Sequence, residues 1–256
     1  MTNKTALVTG ASSGIGAVFA RELAREGYSV TCVARSEDKL NTLVKELGQG
    51  HRVLVADLGD SEGINRVVHD LERSQYTLLV NNAGFGKYGR FDELSIDQHE
   101  SVMFVNMNAL VRLSYAFLKR VKPGDALINV SSILSLLPYP GGSIYSGTKA
   151  FVTNFTESLW YEYKDRGVYI MALLPGSTRT NFYAVAMDGR TRADSDTRGY
   201  PPETVVKDAL AALKLRKEPT VITGPAYRLF AFLATKLAGR KRMIDIMGRR
   251  SSGLKK

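Results

Sequence analysis

Tyr145 and Lys149 are the two residues whose types and spacing point most directly to chemistry. They stand four positions apart, so a helix over this segment places both side chains on one face. A lysine ammonium beside a phenol favours the phenolate and lowers the tyrosine pKa from about 10 towards working pH. A tyrosine tuned in this way can donate a proton to a carbonyl oxygen and take one back in the reverse direction.

A serine hydroxyl lies close enough along the chain to share in this chemistry. Ser132 follows a predicted strand, Ala126 to Ser131, and its hydroxyl can hydrogen-bond the same carbonyl oxygen. A Tyr-x-x-x-Lys pattern alone is more often a helix surface than a catalytic pair. Its interpretation therefore depends on the elements around it.

A glycine-rich segment, TGASSGIG at residues 9–16, also has the composition of a binding site. It joins a short predicted strand to a predicted helix from Ala17 to Glu26. A glycine-rich turn in that place lets the backbone approach a pyrophosphate, and the helix N-terminus stabilises its charge. We therefore predict dinucleotide contacts from Gly10, Ser12, Ser13, Gly14, Ile15 and Gly16. The alternative is that these glycines only form a tight turn.

Arg35 ends the second predicted strand, where a free ribose 2′-hydroxyl would require an acidic acceptor. An arginine can instead bind a 2′-phosphate with two hydrogen bonds, and Ser12 and Ser13 add hydroxyl donors from the neighbouring loop. This residue predicts NADP(H) as the cofactor. The alternative is a surface charge paired with Glu37 or Asp38.

Short apolar runs alternate with amphipathic stretches, which is typical of repeated βαβ units. Seven runs are predicted strands: Thr5 to Thr9, Ser29 to Ala34, Arg52 to Ala56, Thr77 to Asn81, Ala126 to Ser131, Val168 to Leu174 and Thr220 to Thr223. They predict a Rossmann-like, doubly wound seven-stranded parallel sheet in a three-layer α/β/α arrangement. Ligands bind at the carboxyl ends of such strands, so we expect Asp57 and Leu58 to meet an adenine, and Asn81, Ala83 and Gly84 to line the same crevice.

Five landmarks occur in register along the chain: TGASSGIG at 9–16, NNAG at 81–84, Asn106, the SS pair at 131–132 with YxxxK at 145–149, and PGSTRT at 175–180. In this order they resemble the classical short-chain dehydrogenase/reductase family. The resemblance covers residues 4 to about 180 strongly and the remainder loosely. The string YPPETVVKDAL, residues 200–210, is similar to a branch that contains bacterial DltE-like oxidoreductases and the steroid and 3-ketoacyl reductases.

The resemblance implies hydride transfer between NADP(H) and a carbonyl or secondary alcohol carbon, with Tyr145 as general acid and base. It implies that Lys149 also holds the nicotinamide ribose and that Asn106 anchors a water in a proton relay. It favours Ser132 over Ser131 as the group that binds the substrate oxygen. It also places one turn beside the nicotinamide, formed by Pro175, Gly176, Thr178 and Thr180.

Other interpretations remain open at this stage. A sensor can keep the dinucleotide fold without turnover, although such proteins usually lose the Tyr or the Lys. A lyase or epimerase fits poorly, because the extended relatives that catalyse such reactions have a different glycine spacing and a longer chain. Two long predicted helices, Ser101 to Lys119 and Ile144 to Lys164, would pair across a twofold axis in a homodimer or homotetramer.

Composition indicates the cellular compartment and whether a metal site is expected. With 256 residues, 44% hydrophobic and 23% charged, the chain is typical of a soluble globular protein. Its single cysteine, Cys32, cannot form an internal disulfide or a cysteine-cluster metal site, and the three histidines have no ligand spacing, so no metal is expected. No signal peptide and no run of about 18 apolar residues occurs, which predicts a cytoplasmic protein without a membrane-spanning helix.

The net charge of +10 is concentrated near the C-terminus: residues 1–200 carry 22 basic and 21 acidic side chains, and residues 201–256 carry 13 and 4. We treat 1–256 as one domain with a core (1–180), a substrate lid (181–200), a last helix and strand (201–224) and a basic extension (225–256). An amphipathic helix in this extension can lie on an anionic bilayer, pack on protein or leave its charges in water. No nucleic-acid recognition module accompanies the charge.

The substrate pocket is expected to be lined by residues 85–91, 133–142 and 181–200. These loops are mostly apolar, which predicts a hydrophobic carbonyl substrate that is lipid-like, steroid-like or aromatic. The alternative is that their side chains pack against one another.

Overall fold

Seven parallel strands form the centre of the protein in a computed structural model that describes residues 4–189, 199–236 and 239–254. The strands are β1 Thr5–Thr9, β2 Ser29–Ala34, β3 Arg52–Val55, β4 Leu78–Asn81, β5 Ala126–Val130, β6 Tyr169–Leu174 and β7 Thr220–Ile222. Their order across the sheet is β3-β2-β1-β4-β5-β6-β7, with every neighbouring pair parallel. The predicted Rossmann-like sheet is confirmed, and each strand begins and ends within one residue of its predicted bounds.

Helices connect the strands and cover both faces of the sheet. They are α1 Gly14–Arg25, α2 Glu37–Leu47, α3 Ser61–Arg73, α4 Ile96–Met103, α5 Leu110–Leu118, α6 Ser143–Tyr163, α7 Phe182–Ala186, α8 Pro202–Leu215, α9 Pro225–Lys236 and α10 Arg240–Arg250. Successive residues of a strand point to opposite faces, so Ala6 and Val8 pack in the core beneath α1 and α8, while Leu7 packs in the core beneath α3 and α5. These two cores are the inner contacts of the three predicted layers.

The sheet reverses its winding direction between β1 and β4. Chain connections leave these two neighbouring strands towards opposite edges, which opens a crevice at their carboxyl ends. The glycine-rich segment follows β1, and NNAG begins at the last residue of β4. The fold therefore brings two of the five landmarks to the switch point.

The helix from Ile96 to Leu118 is continuous, because a π-helical turn, Phe104–Ala109, joins α4 to α5. By length and composition this helix could cross a membrane, but half of its most apolar window is buried inside the protein. A buried core helix explains the same apolar composition. This one contacts α3 and α6.

The basic extension forms two helices, α9 and α10, on either side of Gly239. Their buried residues Ala234, Met243 and Met247 form one cluster with Leu137 from the loop after β5. The extension therefore packs on one of the loops that were predicted to line the substrate pocket. Residues 190–198 of the predicted lid lie outside the described residues.

Candidate active site

The glycine-rich loop after β1 is shaped so that only glycine fits at its key positions. Gly10 has a φ of +66°, and a Cβ atom added there would lie 2.8 Å from Asn82 Nδ2. A Cβ atom at Gly16 would lie 2.3 Å from the carbonyl oxygen of Gly10. The loop therefore folds back on the first turn of α1 and packs against Asn82. This glycine cradle, a tight turn before a helix N-terminus, is a form that can hold a pyrophosphate.

The beginning of α1 leaves its first backbone N–H groups without a side-chain cap. Ser13 is the N-cap residue, but its hydroxyl makes no capping hydrogen bond. Ser13 is exposed and Ser12 is half-buried, whereas Ile15 packs against the core. The helix N-terminus can therefore offer backbone and hydroxyl donors to an anion.

Thr9 and Asn82 fasten the NNAG turn to the glycine-rich loop. The backbone N–H groups of Asn82 and Ala83 donate to Thr9 Oγ1 at 2.9 and 3.0 Å. Asn82 Nδ2 donates to the carbonyl oxygen of Thr9 at 2.9 Å. Both residues lie within the predicted motifs, but their role in joining the two loops was not predicted, although polar residues directly at two strand ends were the available signal.

Arg35 extends from the end of β2 into solvent with 77% of its side chain exposed. Its nearest acidic partner is Asp57, at 3.7 Å between Nη1 and Oδ2, and not Glu37 or Asp38, the partners named in the alternative interpretation. Asp57 also accepts a hydrogen bond from the backbone N–H of Gly59, while Leu58 is buried. An exposed pair at this distance is weak, so the guanidinium keeps donors for another anion.

The interpretation of Asn81 as a dinucleotide contact needs correction for its side chain. Asn81 is buried, and its Nδ2 donates to Ser114 Oγ at 3.0 Å and to Asn129 Oδ1 at 2.9 Å. Asn129 is its register partner on β5 and donates in turn to Thr156 Oγ1. The side chain therefore ties β4 to α5 and β5 within the core, because a strand residue one position before the turn points into a layer and not into the crevice.

Tyr145 and Lys149 are both buried on α6 and lie together as their spacing predicted. Lys149 Nζ donates to the carbonyl oxygen of Val130 at 2.9 Å and lies 5.8 Å from the centroid of the Tyr145 ring. Burial lowers the pKa of Lys149 to about 8, because the charged ammonium loses its hydration. The ammonium thus faces the ring and is held by the end of β5.

The predicted lowering of the Tyr145 pKa does not hold in this structure. Burial raises the pKa of Tyr145 to about 12, and a hydrogen bond with Ser132 opposes that rise. The physical reason is that desolvation penalises the phenolate more than its neighbours stabilise it. The phenol is therefore protonated at neutral pH.

Ser131 and Ser132 point to opposite sides. Ser132 is hydrogen-bonded to Tyr145, and its Oγ accepts from the backbone N–H of Leu134 at 3.1 Å. Ser131 Oγ instead donates to the carbonyl oxygen of Lys149 at 2.8 Å and lies 2.7 Å from Thr153 Oγ1. The hydroxyl of Ser132 therefore lies beside Tyr145, whereas the hydroxyl of Ser131 holds α6 against the end of β5.

Asn106 lies in the π-helical turn and links three elements. Its Oδ1 accepts from the backbone N–H of Phe85 at 3.1 Å, and its Nδ2 donates to the carbonyl oxygen of Phe85 and to Thr148 Oγ1, each at 3.0 Å. A Cβ atom at Gly84 would lie 2.9 Å from Asn106 Oδ1 and 3.3 Å from Lys149 Nζ. Asn106, Gly84 and Lys149 therefore meet at one point beside Tyr145.

The PGSTRT turn after β6 closes the crevice from the other side. Thr180 lies against the glycine-rich loop, since a Cβ atom at Gly14 would be 3.0 Å from Thr180 Cγ2. Thr178 Oγ1 donates back to the carbonyl oxygen of Gly176, and the carbonyl oxygen of Pro175 accepts from the backbone N–H of Ile133 at 2.9 Å. The glycine-rich loop after β1 and the turn after β6 therefore lie side by side, and the segment after β5 is hydrogen-bonded to the same turn.

Aromatic side chains form a cluster with Tyr145. Tyr88 is buried at the centre, in edge contacts with Tyr139, Tyr145 and Tyr183 at centroid distances of 5.4, 5.9 and 5.9 Å. Phe182 contacts the Tyr145 ring at 5.2 Å. These side chains pack against one another, as one interpretation of the apolar loops expected, and they form the wall next to the phenol.

Comparison with known proteins agrees with the fold and the crevice. A family model described as short chain dehydrogenase matches residues 4–190. Serine 3-dehydrogenase of Agrobacterium fabrum is 30% identical over 78% of this chain and 82% of its own length, and very-long-chain 3-oxoacyl-CoA reductase of Anas platyrhynchos is 30% identical over 83% and 70%.

Solved structures give the same result. A short-chain dehydrogenase from Sphingobium yanoikuyae in complex with NADPH has a TM-score of 0.80 at 30% identity, covering 93% of this chain and 99% of its own. The bulky-bulky ketone specific alcohol dehydrogenase from Comamonas testosteroni has a TM-score of 0.77 at 27% identity, covering 98% and 93%. With the glycine cradle and the Tyr145–Lys149 pair in place, this chain belongs to the short-chain dehydrogenase family of nicotinamide-dinucleotide-dependent oxidoreductases.

Proposed function

We propose that the protein is an NADP(H)-dependent reductase that converts a hydrophobic carbonyl compound to the corresponding secondary alcohol. The observation that carries this proposal is the buried Ser132, Tyr145 and Lys149 cluster, in which one phenol is hydrogen-bonded to a hydroxyl and faced by an ammonium. Bound NADPH supplies the hydride that adds to the carbonyl carbon. The chain's own residues must then bind the carbonyl oxygen and protonate it.

Tyr145 is the proton donor in this proposal. With a pKa of about 12 it holds its proton at neutral pH, so it can deliver it to the oxygen as the negative charge develops there. Ser132 donates a hydrogen bond to the same oxygen, and Lys149, with a pKa of about 8, is mostly charged at neutral pH. The alcohol leaves and the tyrosinate takes a proton back from solvent.

The residues present fit a dinucleotide with a 2′-phosphate. The glycine cradle at Gly10, Gly14 and Gly16 stands at the uncapped N-terminus of α1, which suits a pyrophosphate. Arg35 keeps exposed donors for the 2′-phosphate, and Ser12 and Ser13 are proposed as further donors. Asp57 and Leu58 would meet the adenine. The remaining contacts are proposed from Ile15, Ala83, Gly84, Lys149, Pro175, Gly176, Thr178 and Thr180. NADPH in the similar Sphingobium enzyme supports this choice.

The aromatic wall supports an apolar substrate. Tyr88 and Phe182 contact the ring of Tyr145, and Tyr183 contacts Tyr88. Among the similar proteins are a very-long-chain 3-oxoacyl-CoA reductase and a bulky-bulky ketone specific alcohol dehydrogenase, which agrees with the proposed steroid and 3-ketoacyl reductase branch. A thermal-shift screen of apolar ketones in the presence of NADP tests this class.

Oxidation of NADPH with a panel of apolar ketones tests the reaction itself. We expect turnover by the wild type, and a loss of at least about 1000-fold in Tyr145→Phe, because the proton donor is gone while the ring remains. Tyr161→Phe is the matched control, since Tyr161 is an exposed tyrosine on the same helix. The contrary result is a wild type that binds NADPH but whose turnover never exceeds that of Tyr145→Phe, neither with any ketone nor in reverse with any alcohol and NADP. In that case the protein is a dinucleotide sensor.

Assembly and location complete the proposal. Exposed aromatic side chains on α5 and α6, Tyr115, Phe151 and Tyr161, support pairing of these helices across a twofold axis. We propose a homodimer or homotetramer in the cytoplasm, where the free thiol of Cys32 stays reduced. Mass measurement in solution with Tyr115→Ser and Tyr161→Ser tests the helix pairing.

A further inference from the structure

The outward face of α9 is apolar over three turns. Leu229, Phe232 and Leu233 are 61%, 57% and 44% exposed, and they stand at the i, i+3 and i+4 spacing of a single helix face. Pro225 and Ala226 begin the same face and are also exposed. Large apolar side chains grouped in this way indicate a surface that another body covers.

The opposite side of α9 fixes this orientation. Ala231 and Ala234 are buried, and Phe230 packs in the cluster with Leu137 and Met247. Tyr227 lies so close to the PGSTRT turn that a Cβ atom at Gly176 would be 2.2 Å from its ring. The helix therefore cannot roll to bury Leu229, Phe232 and Leu233 against its own protein.

Positive charge follows directly after this apolar face. Arg240, Lys241 and Arg242 are exposed in the first turn of α10. Beyond Gly224 the sequence contains nine basic residues and one acidic residue, so this part of the chain has a net charge of +8. An occupant of the face must therefore offer apolar contacts and negative charge together.

A second copy of this chain does not meet that requirement through the same face. A twofold pairing through this face would cover the apolar side chains but would add no negative charge, because each copy carries the same net charge of +8 beyond Gly224. The basic residues of both copies would gain no anionic partner. An anionic bilayer offers both an acyl region and phosphate groups.

We propose that α9 docks on an anionic membrane surface, with Leu229, Phe232 and Leu233 entering the interface and the basic turn of α10 contacting lipid phosphates. The two helices that carry this surface adjoin the active site on their buried side. Leu134 and Tyr139 pack both against the aromatic wall around Tyr145 and against the cluster formed by α9 and α10. An apolar carbonyl substrate would then enter from the bilayer, a consequence that rests on the proposed function, whereas docking itself does not.

Co-sedimentation of the full chain with vesicles tests the docking. We expect binding to phosphatidylcholine vesicles that contain about one-third phosphatidylglycerol, and at least tenfold weaker binding to phosphatidylcholine alone. Leu229→Ser, Phe232→Ser and Leu233→Ser combined should weaken binding to the anionic vesicles at least tenfold. All three are exposed, so the variant should unfold at the wild-type temperature.

Matched controls separate the two contributions. Arg240→Glu, Lys241→Glu and Arg242→Glu combined should abolish the preference for anionic vesicles. The control makes the same charge change at three other exposed positions, Lys45, Arg73 and Lys217. It should bind anionic vesicles more tightly than the Arg240, Lys241 and Arg242 variant does. Leu215→Ser, at a 65% exposed leucine on α8, is the control for the apolar variant and should bind as the wild type does.

Three results would overturn the proposal. They are no binding of the wild type to anionic vesicles, equal binding of the apolar triple variant, and an oligomer whose size depends on Leu229, Phe232 and Leu233 in the absence of vesicles. NADPH oxidation by the same variants in vesicle-free buffer is measured in parallel. A wild type that reduces ketones but binds no anionic vesicles would refute the docking alone, and a wild type that binds the vesicles but reduces no ketone would refute the proposed reaction alone.

Discussion

Lys149 Nζ lies over the ring of Tyr145, 5.8 Å from the ring centroid. Both side chains are buried, and burial acts on them in opposite directions: it raises the pKa of Tyr145 to about 12 and lowers that of Lys149 to about 8. The pair is consequently a protonated acid beside a cation that titrates close to neutral pH. That arrangement suits delivery of a proton to a carbonyl oxygen.

The pH dependence of carbonyl reduction follows from these two values. Between about pH 6 and pH 7 Tyr145 remains protonated and Lys149 remains mostly charged, so kcat/KM should be nearly constant. Above about pH 8 the ammonium loses its charge, and kcat/KM should fall. Lys149→Met should be slower by at least about 100-fold and should lack the break near pH 8. A break that persists in this variant would assign the titration to another group.

Burial of the charged Lys149 ammonium also lowers the free energy of unfolding. Its pKa in the folded chain, about 8, is below the ordinary 10.5, so the unfolded chain binds more protons between these two pH values. Stability therefore rises as the pH increases from about 8 to 10.5. At pH 7 Lys149→Met should be more stable by about 1–2 kcal/mol, since removing the buried charge outweighs the lost hydrogen bond to Val130. Urea unfolding of both proteins at pH 7 and pH 10 checks this, because the difference should shrink or reverse at pH 10.

Sequence patterns predicted those parts of the molecule that depend on local rules. Alternating β-branched runs located seven strands within one residue, and glycine spacing located the cradle at Gly10 and Gly16. The side chain of Asn81 was misplaced because its partners, Ser114 and Asn129, come from distant elements. The pKa of Tyr145 was predicted in the wrong direction, because spacing along a helix contains no information about desolvation.

Arg35 decides cofactor choice if it binds a 2′-phosphate. Arg35→Ala should weaken NADPH binding about 10- to 100-fold and leave NADH binding nearly unchanged, because a charge-assisted hydrogen bond of this kind contributes about 1.5–3 kcal/mol. Arg73→Ala is the control, since Arg73 is also exposed but lies at the end of α3. Calorimetric titration of both cofactors measures the ratio, and an unchanged ratio in Arg35→Ala would refute the assignment.

Gly16→Ala should disrupt the cradle. The new Cβ atom would lie 2.3 Å from the carbonyl oxygen of Gly10 and 2.5 Å from Asn82 Nδ2, and the first of these is backbone that cannot move aside. We expect a loss of about 1–3 kcal/mol of stability together with loss of NADPH binding. Gly147→Ala on α6 has nothing within 4 Å of its Cβ position and should gain about 0.5–1 kcal/mol, because alanine favours the helix. Thermal unfolding of the two variants compares these effects, and similar shifts in both would contradict the steric argument.

Asn82 should act as a positioning residue for the cradle as a whole. Asn82→Ala removes the hydrogen bond to the carbonyl oxygen of Thr9 and loosens the loop beneath the pyrophosphate. Because NADPH and NADH share the pyrophosphate, both should bind about tenfold more weakly and their ratio should stay constant, unlike in Arg35→Ala. Asn154→Ala, at an exposed asparagine that bonds only within α6, is the matched control and should bind both cofactors normally. A change confined to NADPH would show that Asn82 acts on the 2′-phosphate and not on the loop.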